Sequence, residues 1–224
     1  MVPKLILLML TMTAAADAMA QEQTPVNVTW KDSARHYIKS LKDGALVVRM
    51  QTRAKAVEQL TSAGNTDAAK RISMEQRSEN LDLITSFKQA FTFCRVYFIF
   101  ADSTEAWLSG KRTGYFLNDS LVINPGIEMR EAFSLLAEEG STSRPVASDD
   151  FNSSTQRNER GYLNSAIILY DQKLRQLKAP FPGYAQEPFP QNLTASNRLV
   201  KVETLNKKLF RFYKKSLATQ QKKA

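Results

Sequence analysis

Three carboxylates stand where acid–base or metal chemistry would need them: Asp102 and the adjacent pair Glu138 and Glu139. Each follows an apolar run of strand length, VYFIFA before Asp102 and AFSLLA before the glutamates. In open α/β sheets, ligands collect beyond the carboxyl ends of strands. Brought together there, paired carboxylates can hold a divalent cation or divide the roles of general acid and base in a hydrolase. Asp149-Asp150 would add a further ligand from a loop, although the spacing is not that of an EF-hand. The same residues have a plainer account. Asp102 can cap a short helix with Glu105 three residues on, and the glutamates can mark a solvated strand exit.

Other chemistries find little material. Cys94 is the single cysteine, which excludes an internal disulfide, a Cys-rich metal site and a CxxC redox pair. Its setting in FTFC, entering an apolar strand, argues for a buried inert thiol and leaves an intermolecular disulfide as the alternative. His36 is the single histidine and lies in a helical pattern, so zinc ligation of the usual kinds and a Ser-His-Asp triad lack partners. There is no G-x-S-x-G, G-x-G-x-x-G, P-loop or H-E-x-x-H pattern, and the eight glycines are scattered as single turn formers. No cofactor and no metal are therefore expected.

The elements that must position these residues alternate in type. A helix is predicted over 30–42, with Tyr37, Ile38 and Leu41 on one side, then a strand over 45–50. Thr52 can cap a helix reaching Ala63, and Gly64-Asn65 stops it. A longer helix starts at Thr66 and reaches about Ala90, its end striped by Leu81, Ile84, Phe87 and Phe91. A strand over 95–101 is apolar on both faces, as suits the middle of a covered sheet. A short helix ending near Gly110 follows, then a small hairpin pairing 115–117 with 121–123, or a strand with a tight turn, and a strand over 132–137. Residues 141–160 read as a long polar loop. A strand over 165–170, a turn at Asp171-Gln172 and an edge strand over 173–178 come next. An aromatic–proline segment over 180–190 is expected to lie across the surface, before an amphipathic helix over 196–217. The predicted fold is α/β, a mixed sheet flanked by helices. Its closing strand–turn–strand–helix order loosely resembles that of thioredoxin-like folds. Without CxxC, no activity follows from that.

The N-terminus gives an address. Lys4, an apolar tract from Leu5 to Ala16 and the exit Ala18-Met19-Ala20 form the three parts of a signal peptide over 1–20. A flexible leader over 21–29, a single domain over 30–218 and a basic tail over 219–224 complete the organisation. The tract is too short to span a bilayer, which needs about 20 apolar residues. The 224-residue chain carries a formal charge of +9. Such charge favours an anionic envelope ligand or serves solubility alone. Lys201, Lys207, Lys208, Arg211, Lys214 and Lys215 surround the apolar stripe of the last helix. That helix can contact an anionic membrane peripherally or dock on the sheet. Nucleic acid is disfavoured, because only Phe210, Phe212 and Tyr213 offer a stacking surface.

The segments ALVVRMQTR, FTFCRVYFIFADST, YFLND and AIILYDQKLRQLKAPFPGY resemble a group of exported proteins from Bacteroidetes-type bacteria. The resemblance implies an envelope origin and supplies no catalytic residue. The expected function is non-catalytic binding or a structural role in the envelope. The expected contact surfaces are the 141–160 loop and the 179–190 segment, and the partner is an unidentified envelope protein or anionic ligand. Two other readings stay open: a hydrolase using Asp102, Glu138 and Glu139, and peripheral membrane attachment through the last helix.

Overall fold

A computed structural model describes residues 29–142, 164–186 and 197–221. The expected signal peptide, nearly all of the leader, loop residues 143–160 and residues 187–190 lie outside them, as does the end of the tail. Helix α1 (Trp30–Lys42) starts at Thr29, whose hydroxyl accepts from Asp32 N, and buries Ala34, Ile38 and Leu41. It stops one residue before Gly44, where a Cβ would meet Phe133 O at 2.5 Å and Ser40 O at 2.6 Å. Only glycine lets the chain enter strand β1 (Ala45–Met50) so tightly. Helices α2 (Ala54–Ser62) and α3 (Thr66–Ala90) then lead to β2 (Arg95–Phe100). A 3-10 turn over Ala101–Ser103 and the short α4 (Thr104–Leu108) follow. Strands β3 (Ser134–Thr142), β4 (Asn164–Tyr170) and β5 (Tyr184–Gln186) and helix α5 (Asn197–Gln221) complete the described order.

The fold is α/β with one five-stranded mixed sheet, in the order β2-β1-β3-β4-β5. β1 is parallel to both β2 and β3, whereas β4 runs antiparallel to β3 and β5 antiparallel to β4. Alternation along the strands assigns the two faces. Leu46, Val48, Leu135, Ala137, Ile167 and Leu169 join one core with residues of α1, α3 and α5. Ala45, Val47, Ile99 and Leu136 join a smaller core on the opposite face, closed by Trp107, Phe116 and Met129.

Several expectations need correction. Glu138 and Glu139 do not mark a strand exit; β3 continues through them to Thr142, paired with Ile168 and Ile167 of β4. Asp102 is not a helix cap, because the 3-10 turn takes up 101–103 and Ser103 occupies the cap of α4 without a side-chain bond. Thr52 likewise gives way to Arg53 at the start of α2. The small hairpin expected over 115–123 is present, by contrast, with one bridge, Leu117 to Ile123, and Asn118 Oδ1 accepts from Ser120 N and Val122 N in its turn. The expected edge strand over 173–178 is a turn. Buried Asp171 accepts from Lys173 N and Arg175 N, so that segment contributes one bridge, Tyr170 to Gln176. The strand at that edge of the sheet is β5 instead, and β2 forms the other edge. Phe181 does not lie on the surface but is buried in the larger core.

Candidate functional site: a crevice at the ends of β1 and β3

β1 and β3 are parallel neighbours, and the next strands in sequence lie on opposite sides of the pair. From β1 the chain passes through α2 and α3 to β2 on one side; beyond β3 lies β4 on the other. A reversal of this kind opens a crevice in an α/β sheet. A crevice of about 490 Å³ lies there. Gln51 and Arg53 line it from the exit of β1, and Gln76, Glu79, Asn80 and Leu83 from α3. Glu139 and Gly140 of β3, Ser165 of β4 and Arg198 of α5 close the other side.

The charges in this wall are matched. Arg198 donates through Nε to Glu139 Oε2 at 2.7 Å and through Nη1 to Asp82 Oδ2 at 3.2 Å. Lys201, 1% exposed, donates to Glu139 Oε1 and, at 2.7 Å, to Ser165 Oγ. Burial pushes the Glu139 carboxyl up, but the hydrogen bonds and charges of Lys201 and Arg198 outweigh it and hold the group below the ordinary carboxylate range. Nearer the mouth, Glu79 Oε2 lies 3.2 Å from Arg53 Nη2 and 3.9 Å from Arg198 Nη2. One carboxylate thus bridges two guanidinium groups at a half-exposed position. Arg53 itself adopts a left-handed backbone (φ 50), an uncommon conformation for a side-chain-bearing residue, at the start of a helix with no side-chain cap.

Two buried amides run along the α3 wall. Asn80 Nδ2 donates to the Gln51 carbonyl at 2.8 Å, and Gln76 Nε2 donates to Asn80 Oδ1 at 3.1 Å. The carbonyl can only accept, so this relay fixes the orientation of both amides. It ends on Gln76 Oε1, which is buried and has no hydrogen-bond partner among the described residues. Leaving such an acceptor unmet costs about 1–3 kcal/mol.

The three carboxylates singled out in the sequence are not brought together. Glu139 faces α3 and α5. Glu138, one residue earlier, faces the opposite side, where Arg49 Nε donates to its Oε2 at 2.9 Å. Burial, and next the Glu138 carboxylate, push the neighbouring Tyr170 phenol up to about 12. Asp102 is exposed beyond β2. The residues that shape the crevice escaped the sequence reading, although Gln76 and Asn80 continue the Leu83–Phe87 face of α3 at helical spacing. Two amides on a buried stripe were the available signal. Lys201, counted among the solvated lysines of the last helix, is instead inside the wall. His36 is exposed on α1, and burial above all pushes the Cys94 thiol up to about 12. Among the described residues no three His, Cys, Asp or Glu side chains gather as a metal site would require, and no helix is long and apolar enough to cross a membrane. Compared with protein-family models, curated proteins and solved structures, the chain matches none.

Proposed function

We propose that this is an exported bacterial envelope protein, periplasmic or extracellular, whose α/β domain binds a small polar ligand without transforming it. The observation that carries this reading is the crevice at the strand reversal, lined by arginines and amides. Its volume falls within the range of about 300–1,000 Å³ typical of small-molecule sites. Most such sites are apolar; here Leu83 is the one large apolar side chain in the wall, which favours a polar ligand. A binding role is supported further by the state of the carboxylates. Glu139 is held by two cations and Glu138 by one, on opposite faces of the sheet, so neither is placed to share a proton with the other. The signal-peptide layout of residues 1–20 and the likeness to exported Bacteroidetes-type proteins support export. The loosely thioredoxin-like order read from the sequence stays part of this proposal, and a single cysteine leaves it without redox chemistry. Peripheral membrane attachment is less well supported, because α5 spends Val202, Leu205 and Leu209 on the core.

Equilibrium dialysis of the purified protein against a low-molecular-weight envelope extract tests the binding reading. Mass spectrometry then identifies what is retained. Wild type is expected to enrich a polar compound that Gln51→Trp, which places bulk at the crevice mouth, does not. Equal retention by both proteins would place the ligand elsewhere and contradict the reading.

A further inference from the structure

We propose that the crevice accepts an acidic polyol, a small hydroxylated molecule bearing one carboxylate or phosphate, and that Glu79 is a built-in competitor for its acidic group. The inference rests on the crevice being a ligand site and names the chemistry of what enters it.

Two independent features point to that class. The first is the Arg53–Glu79–Arg198 bridge. Glu79 Oε2 sits between two guanidinium groups, and the Arg53 and Glu79 side chains are 44% and 37% exposed. An exposed pair of this kind is weak, so an incoming anion can replace Glu79 at little cost. The planar, multi-donor guanidinium suits carboxylate and phosphate oxygens alike. Arg53 is also the better placed of the two for exchange, since Arg198 stays tied to Glu139 and Asp82 when Glu79 leaves. The left-handed backbone at Arg53 sets this side chain at the start of α2, whose first turn lacks a side-chain cap and favours negative charge nearby.

The second feature is Gln76 Oε1, the unmet end of the amide relay. Reversing the Gln76 amide would set two acceptors against each other at Asn80 Oδ1, so the free end must accept a hydrogen bond. A hydroxyl or amine on the ligand supplies the donor. Gln76 and Glu79 are three residues apart on one helix and share a face. Both line the crevice together with Arg53, so one ligand can reach the arginines and Gln76 at once. A simple inorganic anion satisfies the arginines alone, and a neutral sugar satisfies Gln76 alone. An acidic polyol satisfies both.

Isothermal titration with galacturonate, glucose 6-phosphate, glucose, cyclohexanecarboxylate and inorganic phosphate tests the assignment on wild type, Glu79→Gln and Gln76→Met. Galacturonate or glucose 6-phosphate should bind at least tenfold tighter than glucose, the better of the two showing whether the acid is a carboxylate or a phosphate. Glu79→Gln should tighten that acid by about two- to fivefold, the loss of one exposed competing ion pair. Gln76→Met should erase the preference for galacturonate over cyclohexanecarboxylate while leaving inorganic phosphate unchanged. Circular dichroism and thermal unfolding of each variant check that it is folded. Glucose binding as tightly as the acids, or Glu79→Gln leaving acid affinity unchanged, overturns the acidic-polyol assignment while the crevice keeps its role. Absence of binding by all five compounds to folded wild type and folded Glu79→Gln overturns it too. If the dialysis experiment also retains nothing, the binding reading falls with it.

Discussion

Replacing Glu139 by alanine removes an anion that Lys201 and Arg198 both meet in the interior. Lys201 is 1% exposed, and its Nζ donates to Glu139 and Ser165. Taking away one partner of a buried ion pair costs about 3–5 kcal/mol, because the remaining charge keeps its desolvation penalty without its compensation. Arg198 suffers less, since its side chain is 23% exposed and still meets Asp82. A cost near 4 kcal/mol is a large share of the about 5–15 kcal/mol that separates folded from unfolded domains. With a urea slope of about 2 kcal/mol per molar, the unfolding midpoint should fall by about 2 M. Equilibrium unfolding followed by the fluorescence of buried Trp107 and by circular dichroism measures it. Adding Lys201→Met to Glu139→Ala removes the buried cation as well and should recover part of the loss, a coupling that a double-mutant cycle reads directly. A single-variant cost below about 1 kcal/mol, the value of an exposed pair, would refute the reasoning. So would a double variant no more stable than Glu139→Ala.

Further expectations concern acid, thiol and helix. Glu139 and Asp171 both have folded-state pKa values held below their ordinary ones, against the upward push of burial: Glu139 by Lys201 and Arg198, Asp171 by Arg175 and backbone N–H groups. Their contribution is complete above the unfolded values of about 4.3 and 3.9 and is lost as pH falls through the lower folded values. Unfolding midpoints measured from pH 6 down to pH 2 should therefore drop for wild type and drop less steeply for Glu139→Gln. Cys94, with its thiol pushed up to about 12, should react slowly with a disulfide reagent at pH 8 in the native protein and fully in denaturant. Rapid native reaction would show an accessible thiolate. Deleting residues 196–224 should unfold the domain rather than merely detach it from vesicles. Val202, Leu205 and Leu209 are fully buried, and side chains of that size contribute about 1.5–3 kcal/mol each. A truncated domain with native circular dichroism would contradict the docked helix.

The sequence carried most of the fold where local and tertiary preferences agree. The ALVVRM run, closed by a turn before it and a polar exit after it, is β1 from end to end. The start at Thr66 and the stop near Ala90 bound α3 as read, because Asn65 can both end one helix and cap the next. Agreement failed where a pattern fits two structures. KLRQLK alternates as an edge strand does, but the Asp171 side chain competes for the local backbone and bends it, with Leu174 at φ 55. Glu138 and Glu139 look like an exit because the apolar run stops before them. Pairing with β4 carries the strand onward, and the cations that make the glutamates tolerable come from β1 and α5, far away in sequence. The crevice was hidden for the same reason. Its polar wall is assembled from β1 and its exit, α3, β3, β4 and α5, and apart from the Gln76–Asn80 stripe on α3 no local pattern marks it.

The central claim is that the reversal between β1 and β3 makes a ligand site. Its most direct test is an amide and side-chain NMR titration of ¹⁵N-labelled protein with the tightest-binding acidic polyol. The account predicts saturable shifts concentrated on the Gln76 side-chain amide, the Arg53 and Arg198 Nε–H signals and the Gly140 backbone. Saturable shifts confined to another surface, or spectra unchanged at millimolar ligand, would contradict it.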